Sequence, residues 1–211
     1  MRWILAALVP VVAVLAVVMT VGDGDPVAVD AQSAHVAAVV AAGGIVDSIH
    51  PIDEHVRRFQ GTVTERPDTL RRASDSFDAL IQRWVVAVQH YDTTALNAMA
   101  LDRPEFAWLY YPTSHLSKPP YEAPPELLWG QILTSSDDGA RKALRKFGGR
   151  SFALTSVRCA ANPSVEGNNR LHSDCRGTLL TGTDTLRNVR MFGTILERSG
   201  RFKFIGHANS L

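Results

Sequence analysis

The first hydrophobic signal in the chain is a run over residues 3–21 that is apolar except at Pro10 and Thr20. Its length is close to the roughly 20 residues a helix needs to cross a bilayer core. Arg2 precedes it and Asp23 and Asp25 follow, the asymmetry of a segment whose start stays in the cytoplasm while the rest is exported. Residues 1–22 are therefore expected to be a signal anchor, with the domain held at the inner membrane in the periplasm or extracytoplasmic space. The alternative is a signal peptide cleaved near Val29-Asp30-Ala31, which would release the domain. Residues 23–67 read as a tether with a weak helical patch over residues 34–42 and a short amphipathic helix over residues 51–60. In that helix Ile52, Val56 and Phe59 share a face, with acids at the start and Arg57 and Arg58 near the end.

The strongest helical pattern follows. Phe77, Leu80, Ile81, Trp84, Val85, Val88 and Tyr91 fall on one stripe behind a capping arrangement of Asp75 and Asp78. Asp92 or Thr93 caps a second short helix over residues 94–100. Residues 105–111 are apolar in both phases of a two-residue period and read as a strand covered on both faces. Five prolines, Pro112, Pro119, Pro120, Pro124 and Pro125, then predict an extended crossing. Pro125 starts a helix carrying Leu127, Leu128, Trp129, Ile132 and Leu133, with a break expected over residues 134–139 and an end at Gly148-Gly149. From Ser151 the period changes to two, predicting an antiparallel meander of strands over residues 151–160, 171–181, 185–198 and 201–207. The fold class is thus α+β, with N-terminal helices packed on a curved antiparallel sheet over residues 68–211.

Charge and cysteine content narrow the picture. Lys and Arg number 22 against 21 Asp and Glu, so no basic excess marks a nucleic-acid binder. Cys159 and Cys175 lie symmetrically about Gly167 in a turn-like run, which would place them opposite each other in a hairpin. Export makes a disulfide the expected state; two separate buried thiols are the alternative. The chain has no GxSxG, HExxH, CxxC, P-loop or dinucleotide fingerprint. No cofactor is expected, and no metal site, since His50 and His55 stand five apart and the other histidines are isolated.

The order of elements, with the RW..A...D..AL run from Arg83 to Leu96, resembles the NTF2-like superfamily, which includes SnoaL-like and ketosteroid-isomerase-like proteins. The PPYEAPPELLW run and the closing RFKFIGHANSL are similar to those of exported bacterial proteins with a membrane anchor. The resemblance implies a curved sheet wrapped around helices into a cone with a pocket at its open end. No tyrosine-plus-acid oxyanion pair with a separate base maps onto these positions, so no catalytic role is carried over.

Candidate pocket residues are Trp84, Tyr91, Glu105, Trp108, Tyr110, His115, Asn188 and Arg190, joined by Tyr121 and Thr194. Together they would suit a small, partly apolar ligand with an acidic or carbonyl group. In the alternative the aromatics are core, and Arg190 pairs with an acid such as Glu105 or Asp92. The leading expectation is a binding or accessory module for a small molecule or protein partner. An enzyme using Glu105 or Asp92 as base, and a partner-binding protein presenting the proline-rich crossing, stand beside it.

Overall fold

The computed structural model describes residues 50–211 apart from 183, together with 34–35, 37–39 and 41–43. The expected anchor over residues 1–22 lies outside the described residues, among which no helix is long and apolar enough to cross a membrane. Two compact units are present, Met1–Ile49 and His50–Leu211. In the first, helix is described at residues 34–35, 37–39 and 41, within the expected patch.

The second unit is α+β. Helix α1 (Ile52–Gly61) buries Phe59. Helix α2 (Phe77–Gln89) buries Leu80, Ile81, Trp84, Val85 and Val88 of the expected stripe together with Ala87, while Phe77 is half-buried and Tyr91 lies exposed beyond the helix end. Its cap is Ser76 rather than Asp75, because the Ser76 hydroxyl accepts the Ala79 N–H at 3.1 Å. Helix α3 (Thr93–Met99) is capped by Asp92, whose carboxylate accepts the Ala95 N–H.

Residues 105–111 are helical, not a strand. One turn, α4 (Arg103–Glu105), opens with Pro104 and a full capping box in which Asp102 and Glu105 each accept the other's backbone N–H. The chain continues as a wide turn over Phe106–Tyr110 and tight turns over Tyr111–Thr113 and His115–Ser117. A short run buried on every side has no polar phase, so two-residue and helical periods cannot be told apart within it. The crossing is likewise a turn rather than an extended strand, since the N–H groups of Tyr121 and Glu122 both bond the Lys118 carbonyl.

Helix α5 (Pro125–Phe147) runs 23 residues without the break expected over 134–139. Thr134 and Ser135 turn their hydroxyls back onto the carbonyls of Gly130 and Gln131 instead of diverting the chain. Gly139 is needed for a different reason. A Cβ there would sit 1.9 Å from the His207 carbonyl oxygen, so only glycine lets the C-terminal segment lie against the helix.

The meander forms two antiparallel sheets. One has the order β1 (Ala153–Arg158), β4 (Arg176–Thr181), β5 (Asp184–Val189); the other β2 (Ser164–Glu166), β3 (Asn169–His172), β6 (Ile195–Arg198), β7 (Arg201–Phe204). The strands expected over residues 171–181 and 185–198 are therefore each divided in two, those over 151–160 and 201–207 stay single, and β2 lies between the expected strands. The break between β3 and β4 holds Asp174, while Ser156 and Asn188 lie inside β1 and β5; all three are small polar residues in the left-handed region, at φ 48, 53 and 57. Ser156 and Asn188 accompany shifts of register in β1–β4 and β4–β5, the signature of bulges that bend a sheet. Gly167 turns the β2–β3 hairpin at φ 62, and Cys159 and Cys175 are joined by a disulfide across the continuation of that hairpin.

The four-stranded sheet separates two cores. Ile195 and Phe204 on one face meet α2 and α5 around Trp84, Phe152 and Phe192. Leu171 and Leu196 on the other face meet α1 and the segment 103–117 around Phe59, Phe106, Leu109 and Trp129. Residues 102–129 thus strap the second face of the sheet from end to end.

Candidate functional site

The strap is held by an ion pair on the sheet face it covers. Lys203 stands between Phe202 and Phe204 on β7, where alternation points it away from α2 and towards α4. Its ammonium donates to Glu105 Oε2 at 2.6 Å, and both side chains are 0 % exposed. Burial pulls the lysine below its ordinary value, with the Glu105 charge opposing. Glu105 also accepts the backbone N–H of Arg71 at 2.5 Å and of Asp102 at 3.0 Å, while Asp102 receives the Arg71 guanidinium at 2.7 Å. Glu105 is therefore the structural anion of the fold, with its oxygens engaged from three directions.

The eight residues expected to form a pocket lie in separate places. Trp84 is core, edge-on to Phe152 and Phe192. Tyr91 is exposed in the left-handed region at φ 57, its ring against Gly148. Trp108 is half-buried beneath the guanidinium of Arg66, 4.4 Å from its ring. Tyr110 is buried in the second core. His115 is turned out from the strap; its Nδ1 and backbone N–H meet Glu166 Oε1 at 2.5 and 3.2 Å. Asn188 is exposed at the sheet bend, and Arg190 gives only its carbonyl, which accepts the Ser210 N–H. Arg190 pairs with neither Glu105 nor Asp92: the first belongs to Lys203, the second caps α3.

The chemistry expected of that pocket is assembled elsewhere, from the two ends of the strap. A cleft of about 520 Å³ lies between α3, the Asp102 turn and α5. Its apolar lining is Leu101, Trp129, Ile132, Leu133 and Ile205, and its polar rim includes Arg72, Asp102, Arg103 and Asp137. Helical spacing explains the α5 side, because Trp129, Ile132, Leu133 and Ser136 fall at i, i+3, i+4 and i+7. Trp129 faces Phe106 with ring centroids 5.1 Å apart, which fixes it as a wall.

The rim charges are not equivalent. Arg103 stacks over Phe59 at 4.7 Å and donates to Thr62, and Asp102 is committed to Arg71 and to the capping box. Arg72 is in the left-handed region at φ 52, and its side chain is 65 % exposed with Asp102 as far as 4.0 Å away. Arg72 is thus the cation available to an entering anion. Its site was hidden in the sequence because Arg72 falls between the tether, read as residues 23–67, and the first strong helix, where no periodicity marks it.

The polyproline reading of the crossing has a geometric obstacle. Pro119, Pro120 and Tyr121 are exposed, but they close a turn and do not offer the extended left-handed helix that aromatic grooves take. Comparison of the chain with protein-family models, with curated proteins and with solved structures finds no match.

Proposed function

We propose that the domain is an extracytoplasmic, membrane-tethered module of NTF2-like architecture that binds a small ligand in the cleft between the ends of the strap. The bent meander, with helices against one face and the strap against the other, supports the architecture. A helical strap takes the place of the strand that the resemblance implies, and aromatic side chains fill the interior beside Trp84. The disulfide is compatible with an exported domain.

The observation that carries the binding role is the cleft itself. At about 520 Å³ it has the size of a small-molecule site, an aliphatic and tryptophan lining, and at its rim the exposed guanidinium of Arg72, whose acid Asp102 stands 4.0 Å away and is shared with Arg71. Such a lining selects an aliphatic carboxylate, its tail on Ile132, Leu133 and Trp129 and its head on Arg72. Proton transfer or hydrolysis draws no support from the two carboxylates first considered for it, since Glu105 is locked in its ion pair and Asp92 in its cap.

Calorimetry with octanoate and octanamide on the full-length chain tests this reading. Octanoate is expected to bind at least tenfold more tightly than the amide, with Arg72→Ala removing the difference and Trp129→Ala weakening both. Equal affinity for acid and amide, or octanoate binding indifferent to both substitutions, would refute it.

A further inference from the structure

A second cleft of about 630 Å³ opens on the other face of the four-stranded sheet, at the end where α2 begins. Its floor is formed by residues that cross-strand pairing places on one face: Arg170 opposite Glu197, and Glu197 opposite Phe202. Phe77, the first residue of α2, closes one side. The end of β1 at Val157 and Arg158, with the connection that leads on to Pro163, closes the other. Phe77 and Phe202 flank the His172 ring with centroids at 6.1 and 6.3 Å, so three flat side chains border one space.

The charges there are unbalanced. Glu197 Oε2 takes His172 Nε2 at 2.8 Å and Arg170 Nε at 3.5 Å. The lining contains no other carboxylate, and Arg158 has no acid within ion-pair distance among the described residues. Whatever fills this cleft meets flat apolar walls and one surplus guanidinium. The first cleft differs in its largely aliphatic floor beside Trp129 and in the aspartates on its rim, with Asp102 4.0 Å from Arg72.

We infer that this second cleft is a separate binding site for an aromatic carboxylate, which lays its ring against the wall formed by Phe77, His172 and Phe202 and its carboxylate on Arg158. The disulfide is part of the site. Cys159 lines the cleft and ties the 157–163 wall to Cys175 at the corner between β3 and β4. Beyond the β1–β4 ladder, which ends at the Arg158–Arg176 pair, the wall is joined to the β3–β4 connection by the Ala160 N–H donating to the Ser173 carbonyl at 2.9 Å. Binding at this cleft, unlike the first, therefore depends on the oxidised state.

The test is a titration of the full-length chain with 2-naphthoate, and with 2-naphthalenemethanol as its neutral counterpart, followed by NMR at the His172 ring and the Val157 methyls. The acid is expected to shift both signals and to bind at least tenfold more tightly than the alcohol. Arg158 is exposed, so Arg158→Ala leaves the fold intact and should bring acid and alcohol to equal affinity. The double variant Cys159→Ser, Cys175→Ser, used where circular dichroism shows it folded, should lose naphthoate at least tenfold. Naphthoate that moves Trp129 and leaves His172 still would overturn the assignment, as would wild-type affinity in Arg158→Ala. Failure of octanoate in the first cleft bears on neither result, because the two probes and the two sets of reporters are independent.

Discussion

Replacing Lys203 with methionine removes the charge of the buried pair while keeping most of the side-chain volume. At the 2.6 Å separation an effective dielectric of about 20 gives an attraction of about 6 kcal/mol, set against the cost of having dehydrated both ions. Lys203→Met leaves Glu105 charged, 0 % exposed and supported only by two backbone N–H groups. A loss of about 3–5 kcal/mol is expected, the usual result of stranding one buried ion. Glu105→Gln strands the lysine instead, but burial already lowers that group, and losing its proton limits the damage to about 2–3 kcal/mol. The double variant contains no buried charge and gives up about one backbone hydrogen bond, so it should cost about 1–2 kcal/mol. Urea unfolding followed by circular dichroism and tryptophan fluorescence measures all three. A coupling energy of at least about 2 kcal/mol supports the argument. Additive effects, or Lys203→Met within about 1 kcal/mol of wild type, would refute the claim that this pair fastens the strap.

Three further outcomes are expected. Gly139→Ala drives a methyl into the His207 carbonyl and should cost about 3 kcal/mol or displace the C-terminal segment, whereas Gly130→Ala, with open space around it on the same helix, should stabilise by roughly 0.5–1 kcal/mol; paired thermal melts decide. His207 is 1 % exposed, and burial holds it below its ordinary value of 6.5 with its Nε2 against the Leu96 carbonyl and Asp137 the acid that opposes the shift. The unfolded chain therefore binds the extra proton first, so its contribution is complete above 6.5 and is lost as the pH falls below that value; the urea midpoint of wild type should drop there relative to His207→Gln, and parallel profiles would refute the sign. Cys159→Ser should cost about 3 kcal/mol for a loop of 16 residues, and alkylation of the wild type in cells should find no free thiol; reactive thiols would contradict both the bridge and the exported compartment.

What could be read from the chain depended on whether a segment keeps one polar side. Helix α2 alternates an apolar stripe with Asp78, Gln82, Arg83 and Gln89, so its period was plain, as were the Asp92 cap, the proline start of α5 and the turns of the meander. Residues 105–111 are buried from all directions, and there the capping box of Asp102 and Glu105 was the only clue to a helix. Symmetry about Gly167 located the disulfide, because a two-residue turn leaves little freedom of register. The irregularities of the strands were not visible, since the break at Asp174 and the bulges at Ser156 and Asn188 depend on a backbone region that serine, aspartate and asparagine only sometimes adopt. Lys203 falls within the strand expected over residues 201–207, where alternation alone does not show what covers its face. Nothing in its neighbours along the chain indicates that a second layer, 98 positions earlier in sequence, lies over that face.

The claim that the cleft between the ends of the strap is the ligand site can be tested at Trp129 itself. The chain has four tryptophans, and incorporation of 5-fluorotryptophan gives each a separate fluorine NMR signal, assigned by single replacement with phenylalanine. On addition of octanoate the Trp129 signal should move saturably, while Trp84, 1 % exposed in the other core, and Trp108, under Arg66, stay in place. A stationary Trp129 at saturating octanoate, or a shift confined to Trp84, would contradict the account.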